Sequence, residues 1–89
     1  MKTLQITIIN KLGLHARAAS KLVTLAANYD CDIKILYQNK KANGKSIMGV
    51  MMLAAGKGSI ISIITDGIDE SQAVEALAKL INNRFDEAE

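Results

Sequence analysis

The apolar residues of this chain change period several times along its length, and that switching restricts the fold more than any single motif. Leu4, Ile6 and Ile8 alternate with Gln5 and Thr7, which is the pattern of a half-buried strand. From about residue 16 to about residue 28 the spacing lengthens. Ala19, Leu22, Val23 and Ala26 then lie on one face of a helix. "CDIKILY" returns to alternation, with Ile33 and Ile35 pointing one way, and "NKKANG" reads as a turn and a short lysine-bearing strand suited to a sheet edge. Ile47, Val50, Met51 and Ala54 share a second helical face, which Gly56 and Gly58 close early. "SIISIIT" is the run richest in β-branched residues and is expected to be a central strand. After a turn at Asp66-Gly67, Val74, Leu77, Ala78, Ile81 and Phe85 mark a last amphipathic helix from about 70 to about 84.

The resulting order is β-α-β-β-α-β-α, a split βαβ arrangement with an added C-terminal helix. Each helix has one apolar stripe and needs a sheet face to cover it. The expectation is an α+β fold: an open-faced two-layer sandwich with a four-stranded antiparallel sheet and three helices on one face. Residues 1–89 leave no room for a second core, so one domain is expected.

Composition removes several functional classes. A net charge of +2 spread over scattered lysines and arginines, with only Tyr29, Tyr37 and Phe85 as aromatics, does not suit a nucleic-acid-binding surface. No run approaches the length of a membrane span, and "MKTLQITIIN" lacks the features of a signal peptide. Cys31 is alone and forms no internal disulfide, so a cytoplasmic address is expected. "GKS" at Gly44–Ser46 resembles the end of a P-loop, but the glycine required five positions earlier is Asn39. One histidine and one cysteine far apart do not make a zinc site, and no metal or cofactor is expected.

The single histidine, His15 in "KLGLHARAAS", stands where the first helix begins. Its plain reading is a surface loop residue. Its chemical reading is more specific. The free N–H groups of a helix N-terminus form an anion site, and the positive end of the dipole favours a neutral, nucleophilic ring. Gly13 gives the loop freedom to present the side chain. Arg17 adds a fixed cation whose donors match phosphate oxygens. Together they point to a covalent phosphohistidine. Ser46 precedes "IMGVMM" and reads first as the N-cap of that helix, although a phosphate there would also face a positive helix end. Met48 and Met52 fall off the apolar stripe. Exposed methionine is adaptable where several partners use one surface.

"GLHARAA" followed about thirty residues later by "GKSIMGVM" closely resembles the histidine-containing phosphocarrier (HPr) family of the bacterial phosphoenolpyruvate-dependent phosphotransferase system, over essentially the whole chain. The family's open-faced βαββαβα sandwich matches the order read above. The resemblance implies that His15 accepts a phosphoryl group on Nδ1 from phosphorylated enzyme I and passes it to IIA-type proteins in sugar uptake or its regulation, with Arg17 assisting. It implies that Ser46 corresponds to the residue that a dedicated ATP-dependent serine kinase modifies in part of the family. It also maps Leu14, Ala16, Ser20, Ile47, Met48 and Met51 onto the docking surface around the histidine, in a protein that acts as a monomer and a carrier rather than an enzyme.

Two departures stand out. Ala18 occupies the position where the family usually has proline, which is favoured in a first helical turn. Alanine fits the same backbone, so function should survive. Thr24, Ala27 and Gly49 stand where many sugar-pathway members carry lysine; "INNRFDE" resembles the nitrogen-related branch of the family, whereas "GKSIMGVM" resembles the kinase-regulated branch, and both readings stay open. A regulatory binding module that uses the same surface without phosphorylation is the alternative from another class, and the intact His15–Arg17 pair favours the carrier.

Overall fold

The computed structural model describes residues 1–88. Its elements are β1 (Lys2–Thr7), α1 (Ala16–Ala26), β2 (Asp32–Tyr37), β3 (Lys40–Asn43), α2 (Ile47–Met52), β4 (Ile60–Asp66) and α3 (Glu70–Asn82), followed by one tight turn, Arg84–Asp86. The strands form one antiparallel sheet in the order β1-β4-β2-β3. The β-branched run therefore occupies an interior position, and the polar, lysine-bearing strand is an edge, as expected from the pattern.

Register separates the two sheet faces. Leu4 and Ile6 lie opposite Ile63 and Ile61, and Ile33 and Ile35 lie opposite Thr65 and Ile63. These residues face the helices, and Ile33, Ile35, Ile61 and Ile63 are buried. The opposite face carries Thr3, Gln5, Ser62, Lys34 and Lys41, whose side chains suit contact with water. Helix α1 contributes Ala18, Ala19, Leu22, Val23 and Ala26 to the core, and α3 contributes Ala73, Leu77 and Ile81. Small residues on the inner side of α1 let it pack closely beside α2 and α3, and α3 lies against β1 and β4.

Three details differ from the periodic reading. Helix α1 ends at Ala26, just short of the expected boundary. Helix α2 stops at Met52; Ala54 lies beyond it with φ +55° and is exposed, while Val50 is the helix's one buried residue. Helix α3 ends at Asn82, so Phe85 is not helical, yet it is completely buried. Arg84, Phe85 and Asp86 take successive left-handed angles, with φ of 55°, 53° and 63°. Such angles cost non-glycine residues about 1–2 kcal/mol each. The burial of a phenylalanine ring offsets part of that cost. Lys21 Nζ–H also donates to the Phe85 carbonyl at 2.7 Å, and Asn83 Nδ2–H donates to Asp86 Oδ1 at 2.6 Å. The turn sends the C-terminal tail back across the start of α1.

Candidate functional site

The site forms where the β1–α1 loop, the first turn of α1 and the C-terminal tail meet. The loop's shape depends on Gly13. Its φ is +65°, and a Cβ there would lie 2.5 Å from the Ala55 carbonyl oxygen and 2.6 Å from the Gly56 Cα. Only glycine satisfies both constraints without moving the neighbouring backbone. The next residue locks the loop down: Leu14 N–H donates to the Ala55 carbonyl at 2.9 Å. The Leu14 side chain is 4% exposed and belongs to the core, where it anchors the loop rather than forming part of an outer docking face.

His15 follows as the N-cap residue of α1, in an extended conformation. Its carbonyl accepts the first helical bond from Ala19 N–H at 2.8 Å. Its ring makes no capping bond, and the first turn carries no acidic residue. The unused N–H groups at the helix start thus keep their anion-binding character. Ala16 and Arg17 are exposed beside it, Ser20 is half-buried one turn along, and Ala18 is fully buried beneath.

The contact that completes the site comes from the far end of the chain. Glu87 Oε2 lies 2.7 Å from His15 Nε2, across 72 positions of sequence. Asn10, fully buried, donates through Nδ2 to Glu87 Oε1 at 3.1 Å and to the Gly13 carbonyl at 2.8 Å. Both partners are acceptors, so the amide's orientation is fixed by chemistry. Its Oδ1 has no partner among the described residues. Burial by itself would raise the Glu87 pKa. The hydrogen bonds from Asn10 and His15, together with the charges of His15 and Arg17, outweigh it and hold the carboxyl below its ordinary value of 4.5. At neutral pH Glu87 is an acceptor only, so His15 Nε2 is the donor.

Arg17, Lys21, Lys11 and Leu12 line an open groove along this tail. Leu12 is 65% exposed and supplies apolar surface next to the loop. The sequence reading missed Asn10, Leu12, Lys21 and Glu87. Periodicity and local motifs carry no signal for a contact between an N-terminal loop and a C-terminal tail.

Ser46 is the N-cap of α2, with its Oγ accepting from Gly49 N–H at 3.1 Å. Met48 and Met52 are 66% and 69% exposed, and Ile47 is 43% exposed, while Met51 packs partly against the core. Helices α1 and α2 run in opposite directions. Lys45 Nζ–H, just before α2, donates to the Tyr29 carbonyl beyond the end of α1, whereas Ala55, after α2, holds the loop that precedes α1. Ser46 therefore lies at the end of α2 away from His15, not bordering Leu14, and the exposed apolar residues of α2 span the interval.

An open sandwich that presents a histidine at a helix start, with an open groove beside it, defines a small domain that works through its surface. Comparison with known proteins gives that class its family. Residues 2–83 match the family model described as the PTS HPr component phosphorylation site. The chain is 56% identical over 90 residues to the phosphocarrier protein HPr of Pseudomonas aeruginosa, with 100% of both chains covered. It is 46% identical to the phosphocarrier protein NPr of Shewanella violacea, over 94% of this chain and 92% of that one. The crystal structure of HPr from Thermoanaerobacter tengcongensis superposes with a TM-score of 0.96 at 42% identity, covering 100% of each chain. The protein belongs to the HPr family of phosphocarriers of the phosphotransferase system.

Proposed function

We propose that this protein carries a phosphoryl group on His15, accepting it from phosphorylated enzyme I and delivering it to IIA-type proteins in the cytoplasm. The observation that carries the reading is the placement of His15: an N-cap residue held by a rigid loop, above an uncapped helix start, with Arg17 exposed at its side. Nδ1 is the nucleophile. Its lone pair forms the new bond to phosphorus as the bond to the donor breaks, and the donor retains that electron pair. The N–H groups of the first α1 turn and the Arg17 guanidinium receive the charge on the transferring group. The exposed face formed by Ile47, Met48 and Met52 offers each partner adaptable apolar contact, with Ala16 and Ser20 flanking the histidine. Ser46 is the regulatory phosphorylation site in this reading.

The test is incubation with phosphoenolpyruvate and a bacterial enzyme I, followed by mass spectrometry. One phosphate on His15 that is acid-labile and base-stable is expected, as a phosphoramidate hydrolyses once its nitrogen is protonated. His15→Ala should remove the label, and label persisting on that variant would refute the assignment. The tail "INNRFDE" and the NPr relative favour a second reading, that the acceptors are regulatory proteins of the nitrogen-related branch. Measuring transfer to a IIA protein from each branch separates the two.

A further inference from the structure

The His15–Glu87 contact joins two groups that the carrier reading does not require to touch. A histidine at a helix start already has its anion site, and a C-terminal tail could end anywhere on the surface. Here the tail is bent back through three successive left-handed residues, its turn clamped by Lys21 to α1, and its carboxylate set on one ring nitrogen. A buried amide then holds that carboxylate and the histidine loop together, through Glu87 Oε1 and the Gly13 carbonyl. Asn10 leaves its own Oδ1 without a partner among the described residues in doing so. A buried polar atom in that state is costly, so the arrangement calls for an explanation beyond packing.

We infer that Glu87 and Asn10 are positioning residues for His15, fixing the imidazole with its proton on Nε2 so that Nδ1 presents the lone pair. The inference deepens the carrier reading and rests on it for its role in transfer. A neutral imidazole has one donor and one acceptor nitrogen, and the bond made by one decides the character of the other. A carboxylate accepts only. With Glu87 on Nε2, the proton is held there and Nδ1 is the free acceptor.

The same bond serves both directions of transfer. When Nδ1 attacks phosphorus, the ring gains positive charge, and the carboxylate on Nε2–H stabilises it, as an acidic partner does for a catalytic histidine. When the group leaves, the N–P electron pair returns to Nδ1 and the ring departs neutral, still protonated on Nε2. No proton has to enter or leave the ring in either step.

Asn10 contributes through Glu87. It sets the rotation of the carboxylate by holding Oε1, which directs Oε2 at the ring. It also ties the carboxylate to the loop that carries the ring, so the two move together.

The experiment is long-range nitrogen–proton correlation of the imidazole in 15N-labelled protein under alkaline conditions. It is combined with initial rates of His15 phosphorylation by enzyme I. The wild type should show the Nε2–H pattern alone. Glu87→Gln, whose side chain donates as well as accepts, and Glu87→Ala should both bring in the Nδ1–H pattern. They should lower kcat about tenfold or more, the usual scale for losing a partner that orients a ligating or reacting histidine. KM should change little. Glu87→Asp should recover part of both readouts. Asn10→Ala should give a milder version of the Glu87 pattern, with circular dichroism confirming that it folds. Tautomer populations unchanged in both Glu87→Gln and Glu87→Ala would overturn the inference, whatever the rates do. The nitrogen spectrum needs no phosphoryl transfer, so it decides the positioning of the ring even if wild-type His15 takes no label and the carrier reading fails.

Discussion

A negative charge at Ser46 should slow phosphorylation of His15 by weakening docking and should leave the chemistry at the ring almost untouched. The separation of the two sites decides this. Helix α2 has six residues, which at 1.5 Å per residue is about 9 Å of axis. Because α2 runs antiparallel to α1, that length separates Ser46 from the loop holding His15. At roughly 12 Å through water, two unit charges interact by about 0.35 kcal/mol, and screening over a Debye length of about 8 Å reduces that to under 0.1 kcal/mol. Even a phosphate of charge about −2 stays below about 0.2 kcal/mol, less than a 1.5-fold change in rate. Against a partner seated on Met48 and Met52 the same charge is close. A like charge about 6 Å away, in a dielectric of about 20 to 80, is worth about 0.7–2.8 kcal/mol, or roughly 3- to 100-fold in affinity.

Ser46→Asp is the clean perturbation, because aspartate also caps helices and can accept from Gly49 N–H as Ser46 Oγ does. Its thermal melt should match the wild type, whereas Ser46→Ala should lose about 1 kcal/mol of capping. The assay is the initial rate of His15 labelling over a range of protein concentrations, at low and high salt, alongside the spontaneous hydrolysis rate of the phosphorylated protein. KM should rise several-fold at low salt and recover partly at high salt, with kcat and the hydrolysis rate within about 1.5-fold of wild type. A lowered kcat at unchanged KM, or a changed hydrolysis rate, would show that Ser46 communicates with the ring through the protein, and the distance argument would fail.

Gly13→Ala should destabilise the fold by at least about 1–2 kcal/mol, the cost of a left-handed alanine, and more if the Ala55–Gly56 backbone cannot yield; urea unfolding read beside the labelling rate should show activity falling further than stability alone explains. Asp69 accepts from the backbone N–H groups of Asp30 at 2.8 Å and Cys31 at 2.9 Å. Chiefly the Asp30 bond, against the opposing effect of burial, holds its pKa below 3.8, so its stabilisation is complete above pH 3.8 and is lost as pH falls through the lower folded value. Asp69→Asn should accordingly flatten the acid limb of a plot of urea midpoint against pH, and a limb identical to wild type would exclude this role. Burial, reinforced by the hydrogen bond and charge of Asp69, pushes the Cys31 thiol up to about 11; native protein should therefore react with iodoacetamide far more slowly than urea-unfolded protein at pH 8, and equal rates would contradict it.

The sequence revealed the sheet, the helices and the histidine loop because each is encoded in adjacent residues. Period two against period 3.6 separates strands from helices, and "SIISIIT" identifies one of the two strands bordered on both sides. Periodicity reports burial rather than backbone direction. Phe85 was legible as a core residue on the stripe of α3, while the left-handed turn that places it there was not. The same limit applies to Leu14, where a resemblance-based surface assignment gives way to a side chain the loop needs inside. The Asn10–Glu87–His15 contact lay beyond any local reading, because its members are joined only by the folded chain.

That contact also bears on how so small a domain orients a single partly exposed side chain. An enclosed active site orients its groups with walls, whereas here the His15 neighbours Arg17 and Glu87 line one side of an open groove. Orientation has to come from covalent neighbours and from segments that fold back onto them. The neighbours fix the backbone, through Gly13 against Ala55 and the Leu14 anchor. They cannot fix the ring, because a histidine side chain rotates about two bonds beyond the backbone. A bond to Nε2 can limit that rotation, and the tail supplies one, braced by Lys21 on one side and Asn10 on the other. The face of α2 takes no part in this contact, and Met48 and Met52 stay exposed on it. Under the proposed carrier role, that division would put ring geometry in one part of the surface and partner docking in another.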